Sequence, residues 1–430
     1  MIEKKKHIMS ETESTRKLTG TYIDLFSGCG GLSLGLGHAG WQGLFAVEKD
    51  PMAFSTFRHN LIDGKNSHFA WPQWLPKEAN CIQELLESYR DELKSLRGKV
   101  DLIAGGPPCQ GFSMAGRRNA KDPRNKLSEE YIKMVDIISP KYLLLENVRG
   151  FNTTFSNSKC ESSKVPYSLV VREKLESLGY AVYQKYVCSS DFGVPQTRIR
   201  FIMIGVKKEL DECSGFDPFK KLFDSRTSFL RQKGLPLRNM TAEDAIADLT
   251  TNNKELIAHS GSEVTGFKMI DYRVPKKKSA YLKLMRKGMR IKAPNSLRLA
   301  RHKKQTVEKF RLIQEICTPG VALNEKLRER VGTKKHAITV LHRERPSRTL
   351  TTLPDDLLHY DEPRILTVRE MARIQSFPDS FEVLGKYTTG GQARKSECPR
   401  YTQIGNAVPP LLGEALGQLI KGMLDNDNYK

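Results

Sequence analysis

The chain has 430 residues and a formal net charge of +21 at pH 7. Its length allows two domains, or one large domain with an insertion, and its charge favours a polyanionic partner over a neutral metabolite. The sequence contains no run of about 18 apolar residues, so no membrane helix is predicted. The polar first 17 residues lack the apolar segment of a secretory signal. The eight cysteines form no CxxC pair, which argues against a zinc site and disulfides and favours a reducing cytosol.

A nucleotide-binding βαβ unit is predicted near the start of the chain, after a basic lead-in, residues 1–18, that we expect to be disordered. The apolar strand 22–26 is followed by the glycine turn 27–31, a helix, and a second strand, 43–47, that ends at Glu48. Glycines let the backbone approach a ligand at the helix N-terminus, and the acid suits the two hydroxyls of a ribose. The turn lacks the GxGxxG spacing, which weighs against a nicotinamide cofactor.

A cysteine follows the next predicted strand. The apolar run 100–104 ends in the rigid glycine-proline turn 105–108, and Cys109 comes directly after it. A thiol on a stiff loop at a strand end is typical of a covalent nucleophile, although the segment alone is equally compatible with a buried structural cysteine. The polar, basic residues 114–126 are predicted to face the polyanion.

Two further strands end in polar residues. Glu146 follows the apolar run 142–145, and Gln196, Arg198 and Arg200 alternate along a later strand, which predicts three donors on one face. In doubly wound folds, ligands bind at the carboxyl edge of the parallel strands. The fold class predicted is therefore α/β, with a Rossmann-like, mostly parallel sheet and helices on both faces.

The basic charge is concentrated in the segment 207–340. Between Lys268 and Arg311 there are 16 lysines and arginines against two acids, a net of +14 out of the +21 of the whole chain. Charge of this density usually faces phosphates, and a solvated helical face is the alternative. We expect a smaller, irregular domain here.

The sequence also predicts helices over 82–96 and 127–138 and a strand over 180–188. Near the end of the chain, Thr367 and Glu370 have the spacing of a capping box at the start of a helix. Residues 68–79 are predicted to be irregular, with no role assigned.

Seven segments stand in the order of the DNA (cytosine-5) methyltransferases, which this sequence resembles. They are residues 24–31, 106–110, 122–127, 146–148, 196–200, 345–350 and 405–410. The resemblance implies a catalytic, S-adenosylmethionine-binding domain over 19–206 and a basic target-recognition domain over 207–340. A C-terminal segment, 341–430, would complete the catalytic domain.

The same resemblance implies S-adenosylmethionine as the cofactor, with Glu48 on its ribose. The family commonly has an acid before an isoleucine to contact the adenine, whereas this chain has Cys81 before Ile82. The full set of expected cofactor residues is Phe26, Gly28, Gly30, Glu48, Ile82, Pro107 and Asn406.

The expected chemistry is covalent. The cytosine ring is electron-poor, so a Cys109 thiolate would add at carbon 6 to make carbon 5 nucleophilic. Glu146 would hold the base by its ring nitrogen and amino group, and Arg198 would favour the thiolate. The cytosine must leave the duplex to be reached. The residues expected to contact the base or the DNA are Gln110, Ser113 and Arg200.

The predicted function is a sequence-specific DNA (cytosine-5) methyltransferase acting on double-stranded DNA in the bacterial cytoplasm, associated with the nucleoid. It would modify DNA for a restriction or phage-defence system whose other proteins are encoded elsewhere. A solitary methyltransferase without a nuclease is equally compatible with the sequence, and an RNA methyltransferase of the same fold is a further alternative. The thiol loop and the net charge argue against a nicotinamide oxidoreductase, and the joint presence of Cys109, Glu146 and Arg198 argues against a catalytically silent DNA-binding protein.

Overall fold

The computed structural model describes residues 20–64, 67–108, 127–153, 165–211, 217–259, 265–289, 292–388 and 397–427. Three residues assigned to the site from the sequence, Cys109, Gln110 and Ser113, lie outside these ranges, as do the segments 1–18 and 114–126. Within the described ranges, no helix is both long and apolar enough to cross a bilayer.

A mostly parallel sheet forms the centre of the molecule. The strands before the basic segment are β1 (Thr21–Leu25), β2 (Gln42–Val47), β3 (Leu102–Gly105), β4 (Tyr142–Asn147), β5 (Tyr180–Cys188), β6 (Gln196–Thr197) and β7 (Ile199–Lys207). All but β6 join one sheet, in the order β2-β1-β3-β4-β7-β5. The first four are parallel, and β7 runs antiparallel to both β4 and β5. The predicted fold class is confirmed.

Both faces of this sheet are buried, because alternate side chains of each strand enter different cores. On β1, Tyr22 belongs to one core and Ile23 to the other, and Leu144 and Leu143 of β4 divide in the same way. Helices α1 (Gly31–His38) and α2 (Pro51–Leu61) cover the first face. The helices on the second face are α3 (Ile82–Ser88), α4 (Arg90–Ser95), α5 (Leu127–Ile138) and α6 (Tyr167–Ser177).

Residues 68–79, for which no role was predicted, cover the free side of β2. Phe69 forms an isolated parallel bridge with Gly43, and Trp74 packs edge-on against Phe45. A Cβ at Gly43 would lie 2.3 Å from the Phe69 ring, so only glycine permits this approach. The segment thereby protects an edge strand that would otherwise offer unpaired backbone groups to another chain.

The basic segment is irregular, as predicted. Its elements are α7 (Pro218–Asp224), α8 (Arg226–Gln232), α9 (Ala242–Ile246), β8 (Leu256–Ala258), β9 (Lys268–Ile270), α10 (Ala280–Met285), α11 (Lys304–Ile316) and α12 (Glu325–Arg330). Leu230 of α8 and Ile313 of α11 belong to the same buried cluster as the first face of the sheet. The segment therefore packs on the part of the chain that forms the central sheet.

The C-terminal residues pack against the elements around the central sheet, and none of their strands in the described ranges joins it. Their elements are β10 (Thr339–Val340), β11 (Ser347–Arg348), β12 (Leu357–Leu358), α13 (Val368–Ile374), α14 (Arg400–Asn406) and α15 (Pro410–Asp427). Thr367 and Glu370 form the predicted capping box of α13, with reciprocal hydrogen bonds of 3.1 and 2.7 Å. Helix α15 packs so closely on α1 that a Cβ at Gly35 would lie 2.5 Å from the Pro410 carbonyl oxygen.

Candidate active site

A cavity of about 1570 Å³ opens at the carboxyl ends of the parallel strands. Four residues from the ends of neighbouring strands line it: Phe26 after β1, Glu48 after β2, Gly106 after β3 and Glu146 at the end of β4. This is the edge at which ligands bind in doubly wound sheets, because the strands end together there.

One end of the cavity holds a fixed carboxylate. The Gly28 amide donates to Glu48 Oε2 at 2.9 Å, and the Asp50 amide donates to Oε1 at 2.8 Å. Burial raises the pKa of Glu48, although these two hydrogen bonds oppose the shift. Phe26 and Gly28 have φ values of 60° and 56°, a left-handed turn that brings the backbone to the carboxylate. Each carboxylate oxygen keeps a lone pair with which to accept a hydrogen bond from a ribose hydroxyl.

Six of the seven cofactor residues expected from the sequence line this cavity. They are Phe26, Gly28, Glu48, Ile82, Pro107 and Asn406. Gly30 does not: it precedes α1 with φ 95°, and a Cβ there would lie 2.5 Å from Leu61 and 2.8 Å from Phe57. Its geometry therefore gives Gly30 a packing role. Since a fixed carboxylate and apolar walls meet in one pocket, these residues fit a nucleoside-containing cofactor.

Asp24, to which the sequence reasoning gave no role, also lines the cavity. Its side chain is buried, and Ser33 Oγ donates to Asp24 Oδ2 at 2.6 Å. Burial raises the pKa of Asp24 to about 7, and the nearby Glu48 adds to the shift. An acid between Ile23 and Leu25 in a buried strand was the sequence signal for this residue.

At the other end of the cavity, an ion pair joins β4 and β7. Arg200 Nε lies 2.7 Å from Glu146 Oε1, and both side chains are nearly buried, at 9% and 12% exposure. Burial lowers the pKa of Arg200 even though Glu146 opposes the shift. A Cβ at Gly106 would lie 3.1 Å from Glu146 Oε2, so the glycine leaves room for the carboxylate.

The turn that follows β3 is tied to the same strand. Asn147 Nδ2 donates to the Pro107 carbonyl at 3.0 Å, and Pro107 and Pro108 both line the cavity. The described chain thus reaches the cavity wall immediately before position 109. The nucleophile role of Cys109 stays a prediction.

The three alternating donors of the sequence are all buried, but they bind different partners. Arg198 interrupts the strand between β6 and β7, and its guanidinium donates to the carbonyls of Leu350, Gly405 and Asn406 at 3.1, 3.1 and 3.3 Å. Gln196 Oε1 accepts from the Leu350 amide at 2.8 Å. Arg200, which the sequence assigned to contact with the base or the DNA, is the one beside Glu146.

Arg198 therefore joins the sheet to the C-terminal segment. Burial lowers the pKa of Arg198 well below the ordinary arginine value, with a smaller contribution from Arg200. Its Nε has no hydrogen-bond partner among the described residues. The thiolate-stabilising role expected of Arg198 stays a prediction, whereas its observed contacts support the cavity wall that includes Asn406.

Comparisons with known proteins agree with this geometry. A family model described as C-5 cytosine-specific DNA methylase matches residues 20–422. The Type II methyltransferase M.DdeI of Desulfomicrobium norvegicum is 32% identical over 418 residues, covering 94% of this chain and 89% of the relative. M1.HphI of Haemophilus parahaemolyticus, also a Type II methyltransferase, is 31% identical over 95% of this chain and 88% of its own length.

A solved structure shares the fold. The crystal structure described as a prophage-encoded DNA modification methyltransferase from E. coli superposes with a TM-score of 0.62 at 24% identity. The match covers 95% of this chain and all of the other. The arrangement of strands and helices is therefore one already found in a solved structure.

Proposed function

Because the chain belongs to the C-5 cytosine-specific DNA methylases, we propose that it methylates carbon 5 of a cytosine flipped out of double-stranded DNA through a covalent Cys109 adduct. Its cofactor is S-adenosylmethionine, which supplies an electrophilic methyl group on a sulfonium. The observation that carries the proposal is that the Glu48 carboxylate and the Glu146–Arg200 pair line one continuous cavity. A methyl donor and an acceptor base can thus meet in it.

The end of the cavity with Glu48 has groups that suit the ribose of S-adenosylmethionine and its apolar surface. Glu48, already fixed by two backbone amides, accepts hydrogen bonds from the ribose hydroxyls. Phe26, Ile82 and Pro107 supply apolar surface, and Asn406 closes the wall from the C-terminal segment. Arg198 is a positioning residue for that wall, because it binds the carbonyls of residues 405 and 406.

The end of the cavity with Glu146 and Arg200 is where we propose that the cytosine is activated. Addition of the Cys109 thiolate to carbon 6 would push electrons toward carbon 5, and carbon 5 would take the methyl group as the bond between that methyl and the sulfonium sulfur breaks and leaves a thioether. Glu146 accepts a hydrogen bond from the amino group of the cytosine, and a proton shared between Glu146 and the ring nitrogen neutralises the negative charge that develops there when the thiolate adds. Arg200 fixes the Glu146 carboxylate at 2.7 Å before the base arrives. The proton of carbon 5 leaves before the thiolate is released, and water is a suitable acceptor.

Flipping the base out of the stack costs a few kcal/mol. Contacts between phosphates and the basic segment 207–340, together with residues 114–126, offset this cost. Gln110 and Ser113, which adjoin the nucleophile in sequence, are proposed to contact the base or the DNA that surrounds it.

The relatives named above are Type II methyltransferases, and we propose the same class for this protein. It would protect host DNA as the modification component of a restriction or phage-defence system. A solitary methyltransferase remains the alternative, and the genes beside this one distinguish the two.

The central experiment replaces the nucleophile. Cys109→Ser should abolish transfer of tritiated methyl from S-adenosylmethionine to plasmid DNA, while DNA binding in a gel-shift assay is retained. Cys188→Ser is the matched control, because Cys188 lies on β5 and does not line the cavity. Full methyl transfer by Cys109→Ser would contradict the mechanism.

Two further measurements define the substrate. Incubation with duplex DNA and with transfer RNA should label only the DNA, and labelling of the RNA alone would support the RNA methyltransferase alternative. Bisulfite sequencing of plasmid from a host that expresses the protein should reveal modified cytosines at one short sequence. Cytosines modified without sequence preference would contradict the role proposed for the basic segment.

A further inference from the structure

One wall of the cofactor cavity is formed by the first turn of α3. Asn80, Cys81, Ile82 and Gln83 all line the cavity there. The Asn80 amide donates to the Glu48 carbonyl at 2.8 Å, which joins this wall to the residue that holds the ribose. The base of the cofactor is attached to that ribose, so the wall lies within reach of the adenine.

The polar groups of this wall form a pair. Cys81 Sγ lies 2.7 Å from Gln83 Oε1, and a thiol acts toward an amide oxygen as a hydrogen-bond donor. The interaction fixes the orientation of the Gln83 amide group. Among the described residues, no hydrogen-bond partner is found for Gln83 Nε2, so this nitrogen is free to donate to a ligand.

We propose that Gln83 recognises the adenine edge of S-adenosylmethionine and that Cys81 fixes the amide for this task. The edge of adenine presents an amino donor beside the acceptor nitrogen N1, which matches one acceptor and one donor of an amide. Hypoxanthine reverses both roles, with an acceptor oxygen beside a donor N–H. A freely rotating amide could turn over and bind either base, whereas an amide held by the Cys81 thiol matches adenine alone.

Gln83 is thus a specificity-determining residue for the cofactor. Cys81 by itself cannot do this, because a thiol is only a weak donor and a weak acceptor. The inference rests on S-adenosylmethionine binding in this cavity and is independent of the DNA sequence that is modified.

The test measures binding of two product analogues by isothermal titration calorimetry without DNA. S-adenosylhomocysteine should bind wild-type protein about tenfold or more tightly than S-inosylhomocysteine, since two mismatched hydrogen bonds separate the ligands. Gln83→Met should reduce this ratio toward one by weakening the adenosine ligand. Cys81→Ala should reduce it by strengthening the inosine ligand, because the amide can then rotate.

Two additional variants sharpen the test. Gln83→Glu keeps the shape but offers only acceptors, which match one group of each base (the adenine amino group or the hypoxanthine N–H), so it should bring the ratio toward one. Glu84→Gln is the control on the same helix: Glu84 is exposed, does not line the cavity, and should leave the ratio unchanged. Thermal unfolding of each variant reports whether it is folded.

Equal binding of both ligands by wild-type protein, or an unchanged ratio in Gln83→Met, would overturn the role of Gln83 while leaving the cavity assignment intact. Loss of discrimination in Asn80→Ala but not in Gln83→Met would also overturn it. If neither ligand binds the wild-type protein, the cofactor cavity itself is wrongly assigned, and the inference falls with it.

Discussion

Arg200 and Arg373 are both buried arginines: Arg200 lies in the cavity wall, and Arg373 of α13 binds Asp248 of the basic segment. Arg373 Nε lies 2.8 Å from Asp379 Oδ1, and its terminal nitrogens bind Asp379 and Asp248. Burial opposes the charge of Arg373, but these two carboxylates raise its pKa above the ordinary arginine value. Burial lowers the pKa of Arg200, whose one ion-pair partner among the described residues is Glu146.

Arg373 belongs to what we call the ion-pair cluster. Its members are Asp248, Arg286, Arg369, Arg373 and Asp379. The first two come from the basic segment and the other three from the C-terminal segment, so the cluster joins the two. Each of its two carboxylates pairs with at least one arginine, as a fixed support requires, although three arginines face two aspartates. The cavity keeps charged groups that are only partly compensated, which is typical of a site that awaits a ligand.

Breaking the ion-pair cluster should have the largest effect on stability. Arg373→Met leaves Asp248 and Asp379 buried without their main partner, and we expect the free energy of unfolding to fall by about 3–5 kcal/mol. Urea denaturation measures the change. Arg273→Met is the control, because its pair with Asp271 is 83% exposed on the arginine side and should contribute less than about 1 kcal/mol. Equal losses in both variants would contradict the comparison.

Breaking the cavity pair should instead reduce catalysis. Arg200→Lys keeps the charge but loses the guanidinium contact to Glu146, and we expect the single-turnover rate of methyl transfer to fall about 100-fold to 1000-fold. The free energy of unfolding should change less than in Arg373→Met. If Arg198→Lys reduced the rate more than Arg200→Lys did, the role first expected of Arg198 would be favoured over the one proposed for Arg200.

The two regions should also respond to pH in opposite directions. Asp24 has a pKa of about 7 in the folded chain against an ordinary value of 3.8, so its ionisation destabilises the fold as pH rises through this interval. Burial by itself would raise the pKa of Asp379, but the positive charge of Arg373 outweighs burial, so the pKa is lowered. The cluster therefore loses stability as pH falls below about 4.

Urea denaturation of wild type and Asp24→Asn between pH 4.5 and pH 8 measures the first of these effects. The difference in the free energy of unfolding should move in favour of the variant as pH rises to about 7 and then level off. A difference that does not change with pH would show that Asp24 has no raised pKa.

The smallest effect is expected at Gly106. In Gly106→Ala, the new Cβ would lie 3.1 Å from Glu146 Oε2 and displace the carboxylate by a few tenths of an ångström. The free energy of unfolding should change by about 1 kcal/mol or less, because a flexible side-chain end can yield. The rate of methyl transfer should fall about tenfold through the misplaced carboxylate. An unchanged rate would mean that the position of Glu146 is not critical.

The sequence by itself determined the central elements of this fold. Helix α5 begins and ends where its apolar spacing predicts, and β5 does so as well. The capping box of Thr367 and Glu370 was also readable, because it is made by residues three positions apart. Most segments that line the cavity were found for the same reason, because those around residues 26, 48, 106 and 146 are local patterns at the ends of strands. The segment 405–410, which joins α14 to α15, was found as a local turn pattern.

Other features were decided only by tertiary contacts. The helix predicted over 82–96 divides at Tyr89, and residues 68–79 acquired their role from the edge of β2. The alternating residues Gln196, Arg198 and Arg200 were predicted to be three equivalent donors on one strand. Instead, β6 pairs with Ser347–Arg348, far along the chain, and this pairing interrupts the strand. It is this long-range pairing, together with the partners each arginine meets, that leaves Arg200 beside Glu146 and binds Arg198 to the C-terminal carbonyls.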